Sequence, residues 1–404
     1  MYRTCVNSLV GVLIFIAGVT LSVTASEQNP TLTGHWEGQI NIPNQVLAIQ
    51  VDFTWSDTGG YGGTITIPAQ NATNLPLDGI SVSGRQIRFV MPNIPGDPVF
   101  DGELSDKGKT ISGDYSQGGN TFPFTLNSTL TPAYRAEKAL KRFDGFVDQA
   151  VQDWNVPGLA LGIVMGDELV YAKGFGYRNV EEKLPVTPHT LFAIGSATKA
   201  FTTFTMATLV HEGQLDWDTP VRDYLPGFRM YDPVATDLLT PRDLVTHRSG
   251  LPRHDLMWYN NTEYTREDYV QRLRYLEPSA DVRQKYQYNN LMFLTAGYLT
   301  AQLTGQAWET AVRERVLNPL GMSSTNFSVV TSQQEDEYAL PYRENDDSLQ
   351  VMPFRELTVL GPAGSINSTI DDMSRWLMLH LDNGSYNGNR LASPELVREH
   401  IRLK

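Results

Sequence analysis

From residue 31 to residue 132 apolar and polar side chains alternate in short runs, with apolar residues at every second position of stretches 46–53, 63–67, 86–91 and 122–126. That period belongs to a strand with one buried face. Between the runs lie turn clusters such as Ser56-Asp57-Thr58-Gly59-Gly60 and Ser105-Asp106-Lys107-Gly108. Of the 33 glycines, 14 fall between Gly34 and Gly119. Strands spaced this evenly predict a small all-β domain over 31–132, either an antiparallel barrel or a sandwich. The run Gly34-His35-Trp36-Glu37-Gly38 predicts one large aromatic on its inside.

Past Pro132 the period changes. From Tyr134 onward Leu140, Phe143, Phe146, Val147 and Val151 recur at helical spacing, so a second domain is expected to begin near residue 133 and to occupy 135–404. Its first helix leads into two apolar runs, 159–165 and 169–173, joined by Gly166-Asp167-Glu168 as in a hairpin. Mostly helical sequence follows. Helices are predicted over 200–210, stopping at Gly213, over 291–303, and from near Ser393.

A chain of 404 residues with 41% hydrophobic and 19% charged side chains has enough apolar surface for two or three cores and is not disordered. A formal charge of −13 repels a phosphate backbone, which argues against nucleic acid as a partner. At the N-terminus Arg3 precedes an apolar run over 9–21 that leads to Val23-Thr24-Ala25. That is the layout of a cleaved secretory signal over 1–25, and the run is short of the roughly 20 residues a membrane span needs. The protein is expected to be exported, to the periplasm or beyond. The single cysteine, Cys5, lies ahead of the run. A mature chain without cysteine has no disulfide or cysteine-based metal site, and any nucleophile must be an oxygen. No His-Glu-x-x-His or similar metal spacing occurs. Neither metal nor cofactor is expected.

The chemistry concentrates in Leu191-Phe192-Ala193-Ile194-Gly195-Ser196-Ala197-Thr198-Lys199, which runs into the apolar helix predicted over 200–210. Ser196 is placed in its first turn. Positions three apart share a helix face, so the Lys199 amine reaches the Ser196 hydroxyl. A serine is a poor nucleophile until a base takes its proton, and a lysine in apolar surroundings serves because desolvation lowers its pKa. The Ser196 N–H, free at the helix start, can face a developing oxyanion. The second cluster is Tyr286-Gln287-Tyr288-Asn289-Asn290, ahead of the helix over 291–303. An ammonium beside the Tyr288 phenol is expected to ease its ionisation and let it shuttle protons. The Asn290 amide can both donate and accept, suited to a substrate carbonyl and to orienting Lys199. A Ser-His-Asp mechanism would call for Gly-x-Ser-x-Gly, which is absent.

Ser196-x-x-Lys199 followed about 90 residues later by Tyr288-x-Asn290 resembles the penicillin-recognising serine hydrolases. That family includes class C β-lactamases, D-Ala-D-Ala carboxypeptidases, D-aminopeptidases and their esterase relatives. The stretch from Leu244 to Pro252, Pro319-Leu320-Gly321-Met322, and Pro362-Ala363-Gly364 with Ser368-Thr369 resemble further family phrases. The likeness covers nearly all of 135–404 and none of the β-rich part. It implies an α+β β-lactamase/transpeptidase-like fold, an antiparallel sheet flanked by helices plus a helical subdomain, with the active site in the cleft between them. It implies that Ser196 is acylated, that Lys199 and Tyr288 share acid/base work, that Asn290 and Gly364 contact substrate, and that His247 packs a loop. The implied substrates are small molecules or peptides carrying an ester, amide or β-lactam, with cell-wall peptide among the candidates. The outcome is hydrolysis or transfer.

The family's third motif, Lys-Thr-Gly or His-x-Gly on a strand lining the cleft, does not occur after Gly364. The expectation is therefore a C-terminally truncated piece of a longer product, weakly active or inactive as it stands, with an unpaired edge and an uncovered apolar face on the 159–173 hairpin. A different class of function, a non-catalytic cell-wall or partner-binding protein retaining the hydrolase shape, is the alternative.

Overall fold

Alternation builds the N-terminal unit. In a computed structural model, which describes residues 32–43, 45–56, 60–129, 136, 139–259, 263–345 and 348–401, nine strands precede the first long helix. They are β1 (Gly34–Ile42), β2 (Gln45–Ser56), β3 (Gly60–Ile67), β4 (Ala72–Pro76), β5 (Asp78–Ser83), β6 (Gln86–Val90), β7 (Val99–Leu104), β8 (Thr110–Gln117) and β9 (Asn120–Ser128). Among the described residues they form one antiparallel sheet in the order β4-β3-β2-β1-β9-β8-β7-β6-β5. Of the two architectures left open by the pattern, this is the barrel-like one. The first strand pairs with the last, Trp36 facing Val51 on β2 and Ser128 on β9. The sheet's two ends, β4 and β5, are separated only by Leu77, whose N–H donates to the Gly63 carbonyl at 2.9 Å, so the sheet is nearly closed.

Every second residue of β2, Leu47, Ile49, Val51 and Phe53, is buried, which is why its pattern is legible. The interior is aromatic: Phe89 stacks on Phe100 with centroids 4.6 Å apart, and Phe53 and Phe124 meet them edge-on. Trp36 is fully buried, its indole N–H donating to the Leu32 carbonyl at 2.8 Å. Trp36→Ala removes the largest side chain of this core and should cost about 3–5 kcal/mol, seen as an earlier urea transition of this unit.

The described residues from Leu140 on form a second compact unit. The sequence-predicted signal over 1–25, with Cys5, and the predicted boundary near residue 133 lie outside the described residues. Among the described residues no helix is long and apolar enough to cross a membrane. The unit opens with α1 (Phe143–Asp153), followed by strands β10 (Gly158–Met165), β11 (Glu168–Asn179) and β12 (Leu184–Pro185). Helices α2 (Thr198–His211), α3 (Asn290–Thr304), α4 (Ile370–Leu381) and α5 (Pro394–Ile401) follow, with short helices between them. The expected inward face of α1 is only partly right. Val147 is buried and Phe143 meets Tyr171 of β11 edge-on, but Phe146 is 69% exposed. β10 pairs with β11 alone among the described residues, and each of its residues keeps some exposure.

Helix α2 lies between two apolar clusters. Met206 and Leu209 pack with Leu291, Leu294 and Leu299 of α3, whereas Phe201 and Phe204 pack with Trp376 and Leu379 of α4. A helix apolar on all sides is a buried helix. A lysine in its first turn is therefore drawn out of water by the packing of the whole unit.

Candidate active site

Ser196 does not occupy the first turn of the α-helix itself. Gly195–Ala197 is a 3-10 turn, and α2 begins one residue later at Thr198. Gly195 has φ of +51°, a left-handed conformation that glycine adopts without steric cost. The turn is pinned to a later part of the chain. Phe192–Ala193 pairs with Asn367–Ser368, Ile194 N–H donates to the Ile366 carbonyl at 2.9 Å, and Ile366 N–H donates to Thr198 Oγ1 at 3.1 Å. Thr202 Oγ1 donates to the Pro362 carbonyl at 2.7 Å. On α3, a Cβ at Gly297 would lie 2.0 Å from Pro362 Cγ, so only glycine lets that helix press the 361–364 turn toward α2.

These constraints gather four groups. Ser196 Oγ lies 2.5 Å from the Tyr288 phenol oxygen, and Lys199 Nζ lies 3.2 Å from Ser196 Oγ. Nζ also donates to Asn290 Oδ1 at 2.9 Å and to the Ala363 carbonyl at 2.6 Å. Ser196 is open to solvent, whereas Lys199 and Asn290 are buried. Gly364 lies across from the serine turn, where an added Cβ would stand 3.8 Å from the Gly195 carbonyl carbon. The structure thus brings Ser196, Lys199, Tyr288 and Asn290 together, with Gly364 beside them.

Burial sets the protonation states. It drives the Lys199 amine down from 10.5 to about 7, and the positive charge of Arg253 adds to the effect. The Tyr288 phenol is pushed up, chiefly by burial, which outweighs the hydrogen bond with Ser196 and the charge of Arg253. That corrects the expectation of an easily ionised phenol: with the lysine itself near neutrality, no strong permanent ammonium stands by to stabilise phenolate. Above about pH 7 the site therefore offers a neutral amine and a neutral phenol on either side of one hydroxyl, a base and an acid separated by environment.

His247 is buried, with φ of +59°. Its Nδ1 accepts the Asn289 N–H at 3.1 Å, its carbonyl accepts the Gln287 N–H at 2.8 Å, and its ring lies 4.5 Å from that of Tyr288. Burial, with the charges of Lys199 and Arg253, lowers its pKa to about 4. It is a neutral packing residue that holds the tyrosine segment.

Sequence reasoning missed two charged residues. Asp255 accepts from Asn290 Nδ2 at 3.2 Å and from Trp258 Nε1 at 3.1 Å, and pairs with Arg253 Nε at 2.5 Å. The Arg253 guanidinium lies 4.9 Å from the Tyr288 ring centroid. The available signal was an opposite-charge pair directly after Leu251-Pro252. Among the described residues no group of three or more His, Cys, Asp or Glu side chains is placed to hold a metal.

Residues 143–402 match the β-lactamase family model. The chain belongs to the β-lactamase family. Among curated relatives of this chain is the Unguisins hydrolase ungD' of Aspergillus campestris (strain IBT 28561), 34% identical over 245 residues, which are 58% of this chain and 46% of that protein. Protein flp of Staphylococcus aureus (strain N315) is 24% identical over 60% of this chain and 49% of its own length. The chain thus spans about half the length of the curated relatives it matches. Among solved structures, the octameric penicillin-binding protein homologue from Pyrococcus abyssi superposes with a TM-score of 0.57 at 26% identity, over 65% of this chain and 61% of that one. EstCE1, a hydrolase with promiscuous acyltransferase activity, gives a TM-score of 0.57 at 18% identity over 65% and 76%, a likeness of fold. Together these establish the β-lactamase/transpeptidase-like fold of the unit that carries the serine.

Proposed function

We propose that the protein is an exported serine hydrolase that forms an acyl-enzyme at Ser196 with an ester, amide or β-lactam substrate. One observation carries the reading: a serine hydroxyl open to solvent is held between a buried lysine 3.2 Å away and a phenol 2.5 Å away. The Lys199 amine takes the Ser196 proton as Oγ bonds to the substrate carbonyl carbon. Tyr288 then gives its proton to the departing alkoxide or amine as the acyl–leaving-group bond breaks. The Lys199 ammonium returns a proton to the phenolate, which leaves acyl-serine, neutral amine and neutral phenol. Attack by water reverses the roles and frees the acid. Asn290 holds Lys199, and with Gly364 borders the space a substrate enters.

The reading gains support from relatives named as hydrolases and from a fold neighbour named for acyl transfer. A fluorophosphonate probe should add one phosphonyl group per chain, located by mass spectrometry on the peptide containing Ser196. An adduct on another residue, or none under conditions that label a known serine hydrolase, overturns the assignment.

A further inference from the structure

Lysine amines and asparagine amides have directional needs that the site's distances make explicit. A neutral amine has two N–H bonds and one lone pair. Around Lys199 Nζ stand three partners: Asn290 Oδ1, the Ala363 carbonyl and Ser196 Oγ. Two of them, the amide oxygen and the carbonyl, only accept. They take the two N–H bonds and leave the lone pair pointing at the Ser196 hydroxyl. This holds only while Asn290 turns its oxygen toward the amine. A half-turn about its last side-chain bond would present Nδ2–H instead, and the lone pair would be claimed by the amide. Asn290 is buried and its Nδ2 donates to Asp255 Oδ1 at 3.2 Å. A carboxylate can only accept, so this contact admits one orientation of the amide. Asp255 is in turn held by Trp258 Nε1 on the same oxygen and by Arg253 Nε on the other.

We propose that Asp255 is a positioning residue that fixes which end of the Asn290 amide faces Lys199, and so aims the amine lone pair at Ser196. The proposal rests on the hydrolase reading for its kinetic consequence, while its structural part stands on the hydrogen-bond geometry alone. The ionisable groups facing Lys199 among the described residues are His247 and Arg253 from the loop after the short helix Pro241–Val245, Asp255 from the 3-10 turn Asp255–Met257 that ends this loop, and Tyr288 from the segment before α3. Of these, Arg253 disfavours the ammonium and Asp255 favours it.

Two variants of the whole chain separate orientation from charge. Asp255→Leu removes both the acceptor and the charge. Asp255→Asn keeps one oxygen, which settles where two donors, Asn290 Nδ2 and Trp258 Nε1, already converge. In both, loss of the carboxylate beside Arg253 moves the Lys199 midpoint below about 7, read by NMR titration of [ε-13C]lysine-labelled protein. A site merely loosened admits water and moves the midpoint up toward the ordinary lysine value. The rate of probe addition at Ser196, measured on the alkaline plateau, should fall about 10²-fold in Asp255→Leu, the scale of a small misplacement, and no more than about threefold in Asp255→Asn. Equal losses in the two variants, no loss in either, or a midpoint unmoved or raised overturns the proposal. The NMR readout needs no turnover. A parent chain that fails to label at Ser196 therefore rejects the hydrolase reading, while Asp255 is still judged by the midpoint. That midpoint should lie lower in Asp255→Leu, where the amide is free to turn Nδ2–H to the amine lone pair, than in Asp255→Asn; equal midpoints overturn the proposal.

Discussion

Replacing Lys199 with methionine should lower the rate of acyl or phosphonyl transfer to Ser196 by about 10³-fold, within the span general bases contribute. No other described side chain is placed to take the serine proton. Tyr288, the remaining partner of Oγ, has its pKa pushed up by burial and holds its own proton at neutral pH, and His247 contacts the backbone of Asn289 rather than Ser196. The parent rate should rise with pH through a midpoint near 7, where Lys199 loses its proton, and level off above it. In Lys199→Met that limb should vanish. A stability measurement checks the same charge without chemistry. The unfolded chain keeps the lysine proton to about pH 10.4, whereas the folded one releases it near 7. Between those limits the unfolded state binds more protons, so stability rises with pH. Below about 7 both states are protonated and the cost of burying the ammonium is constant and largest. The melting temperature of the parent minus that of Lys199→Met should therefore be flat below pH 7 and grow between pH 7 and 10. A variant retaining more than a tenth of the parent rate, or a difference flat across the whole range, would remove Lys199 as the base.

The parts legible in the sequence are those with a short-range period or a fixed local spacing. Leu47, Ile49, Val51 and Phe53 announce a half-buried strand because alternate side chains share a face, and Trp36 is inside as the pattern predicts. The three-residue spacing of Ser196 and Lys199 survives the change from α to 3-10 geometry in the serine turn, since either conformation brings such neighbours together. Tyr288 and Asn290 stand out by the chemistry of their side chains and by resemblance, not by spacing, because 92 and 91 residues separate them from the groups they touch. Spacing alone says nothing at such separations. What stayed hidden is what folding brings in from elsewhere. The Ala363 carbonyl reaches Lys199 only because Gly297 admits Pro362. Asp255 meets Asn290 from 35 positions away through one amide hydrogen. The sign of the Tyr288 shift was hidden for a related reason. Sequence shows that a cation stands nearby, but the depth of burial that neutralises the cation and penalises phenolate is a property of the packed unit. Phe146 shows the converse limit, since helical spacing marks a face as apolar without saying that anything covers it.

Tyr288→Phe isolates the acid from the base. It deletes one oxygen, keeps the ring that packs on His247 and lies beneath Arg253, and leaves all three Lys199 partners in place, so folding should be undisturbed. The phenol's place in the proposed sequence is to protonate the leaving group, and its importance should follow that group's basicity. With p-nitrophenoxide, which departs without a proton, the acylation rate should fall less than tenfold. With an amide or an alkyl ester, whose leaving group must be protonated as the bond breaks, the loss should be about 10²–10³-fold. Since the Tyr288 pKa is raised, its deprotonation limits the parent only in the alkaline range. The descending limb of the pH profile with an alkyl ester should therefore be lost in the variant, while the ascending limb near 7 belonging to Lys199 stays. Equal losses for activated and unactivated substrates would mean that the tyrosine serves Ser196 itself, through the 2.5 Å contact, and not the leaving group. The general-acid assignment would then pass to the lysine ammonium.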